Sequence, residues 1–119
     1  MTLEHSWLLL HRNATLPWFI LVPHTREQRL HRLSRDFRTG VMNEADAAAR
    51  FLEDWFACDH VNQASIGNQV PQLHVHVIGR YRGDPCWPGV VWGRLETVAT
   101  YQPDTITRIQ DAFLRHRSS

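Results

Sequence analysis

The chain has 119 residues, of which 43% are hydrophobic and 21% charged, and its formal net charge is +1. This size and composition are typical of one folded domain over residues 1–119, and the near-neutral charge argues against a nucleic-acid-binding protein. The two cysteines, Cys58 and Cys86, are too few and too far apart for a disulfide framework or a zinc site. No apolar run in the sequence approaches the roughly 18 residues that a membrane span needs, so we expect a cytoplasmic protein without membrane partners.

The first part of the chain predicts a β-hairpin. Two apolar runs, residues 6–11 and 18–22, are joined by a polar link that ends in Pro17, and Pro23 closes the second run. Short apolar runs separated by a turn-forming link are typical of paired antiparallel strands.

Helical patterns follow the hairpin. Thr25, with Gln28 three residues later, fits the capping box at the start of a helix, and residues 39–40 (Thr-Gly) interrupt that pattern. Asn43 is a favourable N-cap and begins a second predicted helix, which ends near Cys58.

The second half of the chain predicts two further strands and a last helix. Residues 60–65 and 70–80 have strand patterns and are separated by a turn at 66–68. Residues 83–93 are rich in Pro, Gly and Trp and predict a structured loop, and a helix is expected from Pro103 to about Arg115. The order of these elements predicts an α+β fold, with a mostly antiparallel sheet covered on one face by helices.

Two histidines on one strand carry the strongest functional signal. Gln72, His74 and His76 alternate with aliphatic residues, so all three side chains are expected on one face of the strand. A neutral imidazole is a good nucleophile towards phosphorus at physiological pH, and a second histidine can bind the phosphate or pass on a proton. The pair therefore indicates phosphoryl or nucleotidyl chemistry, although polar side chains on the wet face of a sheet give a similar pattern.

Amide side chains surround the start of that strand. Asn62, Asn68 and Gln69 supply neutral hydrogen-bond donors, and Gly67 supplies a flexible backbone position where an anion could rest. Donors of this kind stabilise the charge that develops on phosphate oxygens during substitution.

Residues 62–80 resemble the signature of the histidine triad (HIT) superfamily, in which three histidines alternate with apolar residues after an Asn and a Gly-containing turn. Here Gln72 stands at the first histidine of the triad, His74 at the middle one and His76 at the last. The resemblance covers roughly residues 6–93 and extends to a bacterial subgroup of HIT-domain hydrolases. It implies a sheet of about five strands with helices on one face, in a homodimer that extends the sheet across both subunits.

The resemblance also implies a function. In the family, the middle histidine attacks the α-phosphate of a nucleoside phosphoramidate or dinucleoside polyphosphate, a nucleotidyl-histidine forms, and water or another acceptor releases the nucleotide. No metal or cofactor is needed. By position, His74 is the expected nucleophile, with His76 and Gln72 in support. Asn62, Gly67, Gln69 and, more loosely, Asn13 are expected to bind phosphate or ribose.

Gln72 is the departure from the family pattern, because an amide keeps a hydrogen bond but cannot shuttle a proton. We expect activity to survive this change with an altered rate or pH profile. Two other functions stay open from the sequence. One is a non-catalytic nucleotide-binding or sensor protein, and the other is a metal-binding protein that uses His74 and His76 with His24 or His60 as a third ligand.

Overall fold

The structure, a computed structural model, describes residues 1–118. Four strands are found in this part of the chain: β1 (Ser6–Leu10), β2 (Trp18–Pro23), β3 (His60–Ala64) and β4 (Val75–Arg80). They form one antiparallel sheet in the order β1-β2-β4-β3. Two α-helices accompany the sheet, α1 (Arg35–Trp55) and α2 (Pro103–Arg117).

The α+β fold and the hairpin are confirmed, whereas the expected count of about five strands is wrong for residues 1–118, where the sheet has four. The predicted strand at 70–80 is also shorter, since β4 begins only at Val75. Its partner β3 ends at Ala64, opposite His76, and Pro71 has no N–H to offer a ladder, so the chain before Val75 runs as a loop.

The two helices predicted between residues 25 and 58 are also wrong. A short 3-10 turn, Leu30–Arg32, precedes one continuous helix, α1, whose N-cap is the Ser34 hydroxyl, which accepts a hydrogen bond from Phe37 N at 3.3 Å. Thr25 instead makes a local turn, in which its hydroxyl accepts from Glu27 N at 3.1 Å.

Gly40 lies inside α1 rather than at its end. The ring of His5 packs so closely against the glycine that any Cβ there would overlap it. The glycine is therefore a packing requirement of the helix and not a break in it.

The helices cover one face of the sheet, as expected from the sequence. On this face the side chains of Leu21, Val75 and Val77 pack against α1 and α2 and are almost completely buried. The opposite face carries His76 and is partly covered by the loop that follows β4, where Ile78 and Val91 form a second apolar cluster.

The chain returns from that loop to α2 through residues 95–102, a mostly exposed segment without regular secondary structure. A cavity of about 410 Å³ lies between β1 and α2 on the helix-covered side, with Leu8, Phe19 and Ile109 among its walls. No helix among residues 1–118 has the length and apolar character to cross a membrane.

Candidate active site

The start of β4 brings His74 and His76 together. His76 lies in the strand, opposite Ile20 of β2 on one side and Ala64 of β3 on the other. His74 stands just before the strand begins, and its ring meets the His76 ring edge-on with 5.0 Å between centroids. The two imidazoles predicted to be neighbours are thus in contact on the face of the sheet away from the helices.

The main chain fixes the tautomer of His74. Its Nδ1 lies 2.7 Å from the carbonyl oxygen of Gln72. A carbonyl only accepts hydrogen bonds, so Nδ1 must carry the proton, and the lone pair is then on Nε2. The His74 side chain is half-buried, which holds the ring in place while leaving it accessible.

Gln72 contributes to the site through its backbone rather than through its side chain. The exposed amide donates to Thr25 O at 3.5 Å and to Leu73 O at 3.4 Å. The carbonyl that orients His74 is supplied by any residue at this position, which explains how a glutamine is accommodated there.

His76 is held in the opposite tautomer. The indole Nε1–H of Trp18 donates to His76 Nδ1 at 3.0 Å, and this bond is buried. Because an indole N–H only donates, His76 Nδ1 must be unprotonated, and the neutral ring carries its proton on Nε2. Burial, reinforced by the charges of His74 and His11, lowers the pKa of His76 from its usual value of 6.5 to about 4.

Aromatic rings that the sequence pattern does not assign to the site form a wall behind His76. Trp18 is stacked against His11, with 4.2 Å between centroids, and Trp92 meets the His76 ring edge-on at 5.3 Å. Trp87, the other tryptophan of the loop, lies elsewhere, under the guanidinium of Arg80. Residue alternation along β2 places Trp18 on the His76 face, but only the β2–β4 register shows that their side chains meet.

Asn62 is positioned by a buried ion pair. It lies opposite Ile78 and therefore on the same face as His76, and its Oδ1 accepts from Arg80 Nη1 at 2.8 Å. This bond directs the NH₂ group of the amide away from the guanidinium. Arg80 in turn makes two hydrogen bonds to Asp84, at 2.8 and 3.0 Å, with both side chains about 2% exposed.

Asp84 also fastens the loop after β4. Its carboxylate accepts hydrogen bonds from the backbone N–H groups of Tyr81, Cys86 and Trp87. Burial opposes ionisation of this carboxyl, but the hydrogen bonds from Arg80 and the backbone outweigh it and lower the pKa of Asp84 to about 2. Asp84 therefore stays ionised and keeps both Arg80 and the loop in place.

The other predicted ligands are placed less tightly. Gly67 and Gln69 lie in the exposed loop that leads to β4, where a Cβ on Gly67 would meet only Val70 O, at 3.9 Å. Asn13 is engaged elsewhere, because its side chain donates to Thr97 O at 2.9 Å and accepts from Ala99 N and from Thr15. Asn13 thus fastens the segment before α2 to the hairpin.

The structure gives no support to a metal site. Among residues 1–118 no three His, Cys, Asp or Glu side chains converge in a way that could hold a metal ion. His24 contacts Leu3 O and the Trp7 ring, and His60 lies opposite Arg80 at the far end of β4. Neither is a third ligand beside His74 and His76.

Comparisons with known proteins agree with this geometry. The family model described as HIT domain matches residues 1–83. A histidine triad protein from Bradyrhizobium japonicum has a similar structure, with a TM-score of 0.88 and 33% identity over 97% of this chain and 86% of that chain. A histidine triad protein from Marinobacter aquaeolei is 32% identical with a TM-score of 0.85, over 95% of this chain and 82% of that chain.

A third histidine triad protein, from Sinorhizobium meliloti, is 29% identical with a TM-score of 0.89, over 97% of this chain and 85% of that chain. No curated protein sequence gives a significant match. The chain therefore belongs to the HIT domain family, whose members are in general nucleotide-binding hydrolases or transferases.

Proposed function

We propose that this protein is a nucleotide hydrolase or nucleotidyl transferase, in which His74 Nε2 attacks the α-phosphorus of a phosphoramidate or dinucleoside polyphosphate. The observation that carries the proposal is the 2.7 Å hydrogen bond from His74 Nδ1 to Gln72 O, which leaves the lone pair on Nε2. The same bond stabilises the positive charge that the ring acquires when Nε2 bonds to phosphorus.

The reaction has two steps. In the first, the Nε2–P bond forms and the bond from phosphorus to the leaving group breaks, with its electron pair going to the leaving group. In the second, a water oxygen attacks phosphorus, the Nε2–P bond breaks and its electrons return to the imidazole. The water proton is released to solvent, and a nucleoside monophosphate departs. In a transferase, another acceptor replaces the water.

Side chains beside the two histidines are suited to hold the phosphate. His76 Nε2–H and the NH₂ group of Asn62 are donors on the same face of the sheet, and their other polar atoms are engaged by Trp18 and Arg80. Gly67 and Gln69 remain our proposed contacts from the loop. Asn13 does not enter the proposal, because its amide is used by residues 97–99.

An apolar shelf next to His76 is suited to a nucleobase. Trp7, Leu9, Ile20 and Val22 share the His76 face through the β1–β2 register, and Trp7 and Leu9 are 47% and 46% exposed. Flat apolar surface of this kind stacks against or packs on an aromatic base. We therefore propose that the base lies over β1 and β2 while the phosphate lies over the start of β4.

Trapping the intermediate tests the proposal directly. Protein incubated with adenosine phosphoramidate or diadenosine tetraphosphate, then quenched, should gain the mass of one adenylyl group (AMP less one water) on the peptide that contains His74. His74→Ala should lose both the adduct and AMP release, whereas the matched variant His31→Ala, at an exposed position, should keep both. Nucleotide binding without an adduct or AMP release would instead favour the non-catalytic sensor.

We also propose a homodimer that joins the edge strand β3 of one subunit to its counterpart. β3 is one of the two edge strands, and Trp55 at the end of the adjacent α1 is 42% exposed. A Trp55→Glu variant should shift the mass measured by light scattering towards the monomer, and Trp7→Glu should not. An unchanged mass in Trp55→Glu would argue against this interface. A cytoplasmic location stays a prediction.

A further inference from the structure

The groups around the nucleophile offer hydrogen bonds but no acidic proton. Gln72 turns its amide outwards, and Asn62 presents an amide held by Arg80. Amides do not give up a proton under physiological conditions. His74 uses its own proton to hold the Gln72 carbonyl. Two imidazoles remain near it. His11 is stacked on Trp18, accepts from Asn13 N on Nδ1 and has its pKa lowered by burial. His76 is the imidazole whose ring meets that of His74, which makes it the candidate to protonate a leaving group.

Geometry keeps His76 from acting as an acid. To become an imidazolium, the ring would have to bind a proton on Nδ1, where the Trp18 indole N–H already donates at 3.0 Å. Two donors would then face one another in a buried position, because Trp18 and His76 are only 7% and 9% exposed. Such an arrangement loses a hydrogen bond and buries a charge beside a donor, both of which cost free energy.

The surroundings of the His76 ring also favour its neutral form. Trp92 packs against His76, Ile20 and Ala64 lie beside it on the neighbouring strands, and the titratable groups near it are His74 and His11. Burial and these two imidazoles lower the pKa of His76 to about 4, so the ring is neutral at physiological pH. A neutral imidazole N–H can bind an oxygen but does not protonate it.

We propose that this site acts on nucleotides whose leaving group departs as a stable anion, and that Trp18 is the positioning residue that sets this preference. The inference rests on the proposed function and narrows its substrates to phosphoanhydrides, such as dinucleoside polyphosphates. Cleavage of a P–O–P bridge sends the electron pair to a phosphate oxygen, which needs no proton, whereas an amine or alkoxide leaving group does. His76 Nε2–H then stabilises the departing phosphate by a hydrogen bond.

A series of leaving groups tests the preference. Diadenosine tetraphosphate, adenosine phosphoramidate and aryl esters of AMP with phenols of graded acidity are compared by the rate at which the adduct on His74 forms. General acid catalysis is worth roughly 100-fold or more. We therefore expect the anhydride to react at least about 100-fold faster than the phosphoramidate, and the esters to slow steeply as the phenol becomes less acidic.

Two tryptophan variants form the matched pair. Trp18→Phe keeps a ring but removes the N–H, so His76 can take a proton on Nδ1. The ratio of the rate of adduct formation with the anhydride to that with the phosphoramidate should therefore fall. Trp92→Phe changes the ring packing against both His76 and Trp18 but keeps the indole N–H that donates to His76, so the ratio of the two rates should persist. An equal fall of this ratio in both variants would overturn the role given to Trp18.

A measurement on the unliganded wild-type protein keeps the test independent of turnover and of how well the variants fold. Nitrogen-15 NMR of the His76 ring should show an unprotonated Nδ1 and a protonated Nε2 from pH 8 down to pH 5. A ring that becomes doubly protonated in this range would overturn the inference, as would equal rates across the leaving-group series. Absence of any adduct on His74 with every compound would overturn the proposed function itself, and this inference with it.

Discussion

The two faces of the sheet differ in how their buried residues are held in place. On the helix-covered face, Leu21 and Val77 are fully buried among hydrocarbon side chains. On the other face, Trp18, His76 and Arg80 are buried too, but each also makes a hydrogen bond of fixed direction. The stability of the first face depends on how well side-chain volume is filled, and that of the second on specific hydrogen bonds. Substitutions on the two faces should therefore have different consequences.

The largest loss of stability is expected on the histidine face, from Asp84→Ala. The substitution leaves the Arg80 guanidinium buried without its partner, which should lower the free energy of unfolding by roughly 3–5 kcal/mol. It should also release Asn62 and so slow adduct formation. Urea denaturation measures the loss, with Asp59→Ala as control. Among residues 1–118, this exposed carboxylate accepts a single hydrogen bond, from Arg82 N. Similar losses in the two variants would contradict the role of the buried pair.

The helix-covered face should show a loss of stability without a loss of chemistry. Leu52 of α1 is completely buried, and Leu52→Ala should cost roughly 2–5 kcal/mol through lost contacts and the cavity left behind. The rate of AMP release per folded molecule should stay the same, measured well below the melting temperature. A fall in that rate comparable to the one caused by Asp84→Ala would show that the two faces are not separable.

Acid should destabilise the histidine face in a defined pH window. The unfolded His76 binds a proton near pH 6.5, while the folded ring does so only near pH 4, so the unfolded state holds more protons between these values. Stability therefore falls as the pH drops from about 6.5 to about 4. Urea denaturation at pH 7, 6 and 5 should show a smaller fall in His76→Gln than in the wild type, and parallel falls would be inconsistent with a buried neutral ring.

The smallest effect is expected at the position that departs from the triad. Gln72→Ala removes an exposed side chain but keeps the carbonyl that binds His74. The rate of AMP release and the folding equilibrium constant should therefore each change by a factor of about 2 or less. Contrary to the expectation from the sequence, the wild type and Gln72→His should have similar pH profiles, because the contact with His74 comes from the backbone carbonyl of residue 72. A loss of activity in Gln72→Ala as large as in His74→Ala would mean that the side chain takes part in the reaction.

Much of the fold could be predicted because local patterns determine it. The hairpin follows from two short apolar runs around a polar link, and α2 begins at Pro103 as the sequence predicts. The course of α1 could not be predicted, because Gly40 disfavours a helix locally, and the contact that requires a glycine there is made by His5, which is distant in the chain. The start of β4 at Val75 likewise depends on where the neighbouring strand β3 ends.

The candidate site likewise has features that the sequence predicts and others that it does not. Alternation along one strand was enough to place His74 next to His76. The tautomer of His76 depends on Trp18, 58 positions earlier, and the orientation of Asn62 depends on Arg80 and the loop that Asp84 fastens. These pairings require the register between strands, which a single sequence does not reveal.

The cavity between β1 and α2 has a practical consequence for inhibitor discovery. Its volume of about 410 Å³ suits a small fragment, and its walls include neither His74 nor His76, although Leu9 of the apolar shelf is among them. A compound bound there would raise the melting temperature without contacting either imidazole. Thermal-shift screening will therefore collect such molecules, and competition with AMP is the counter-screen that separates them from blockers of turnover.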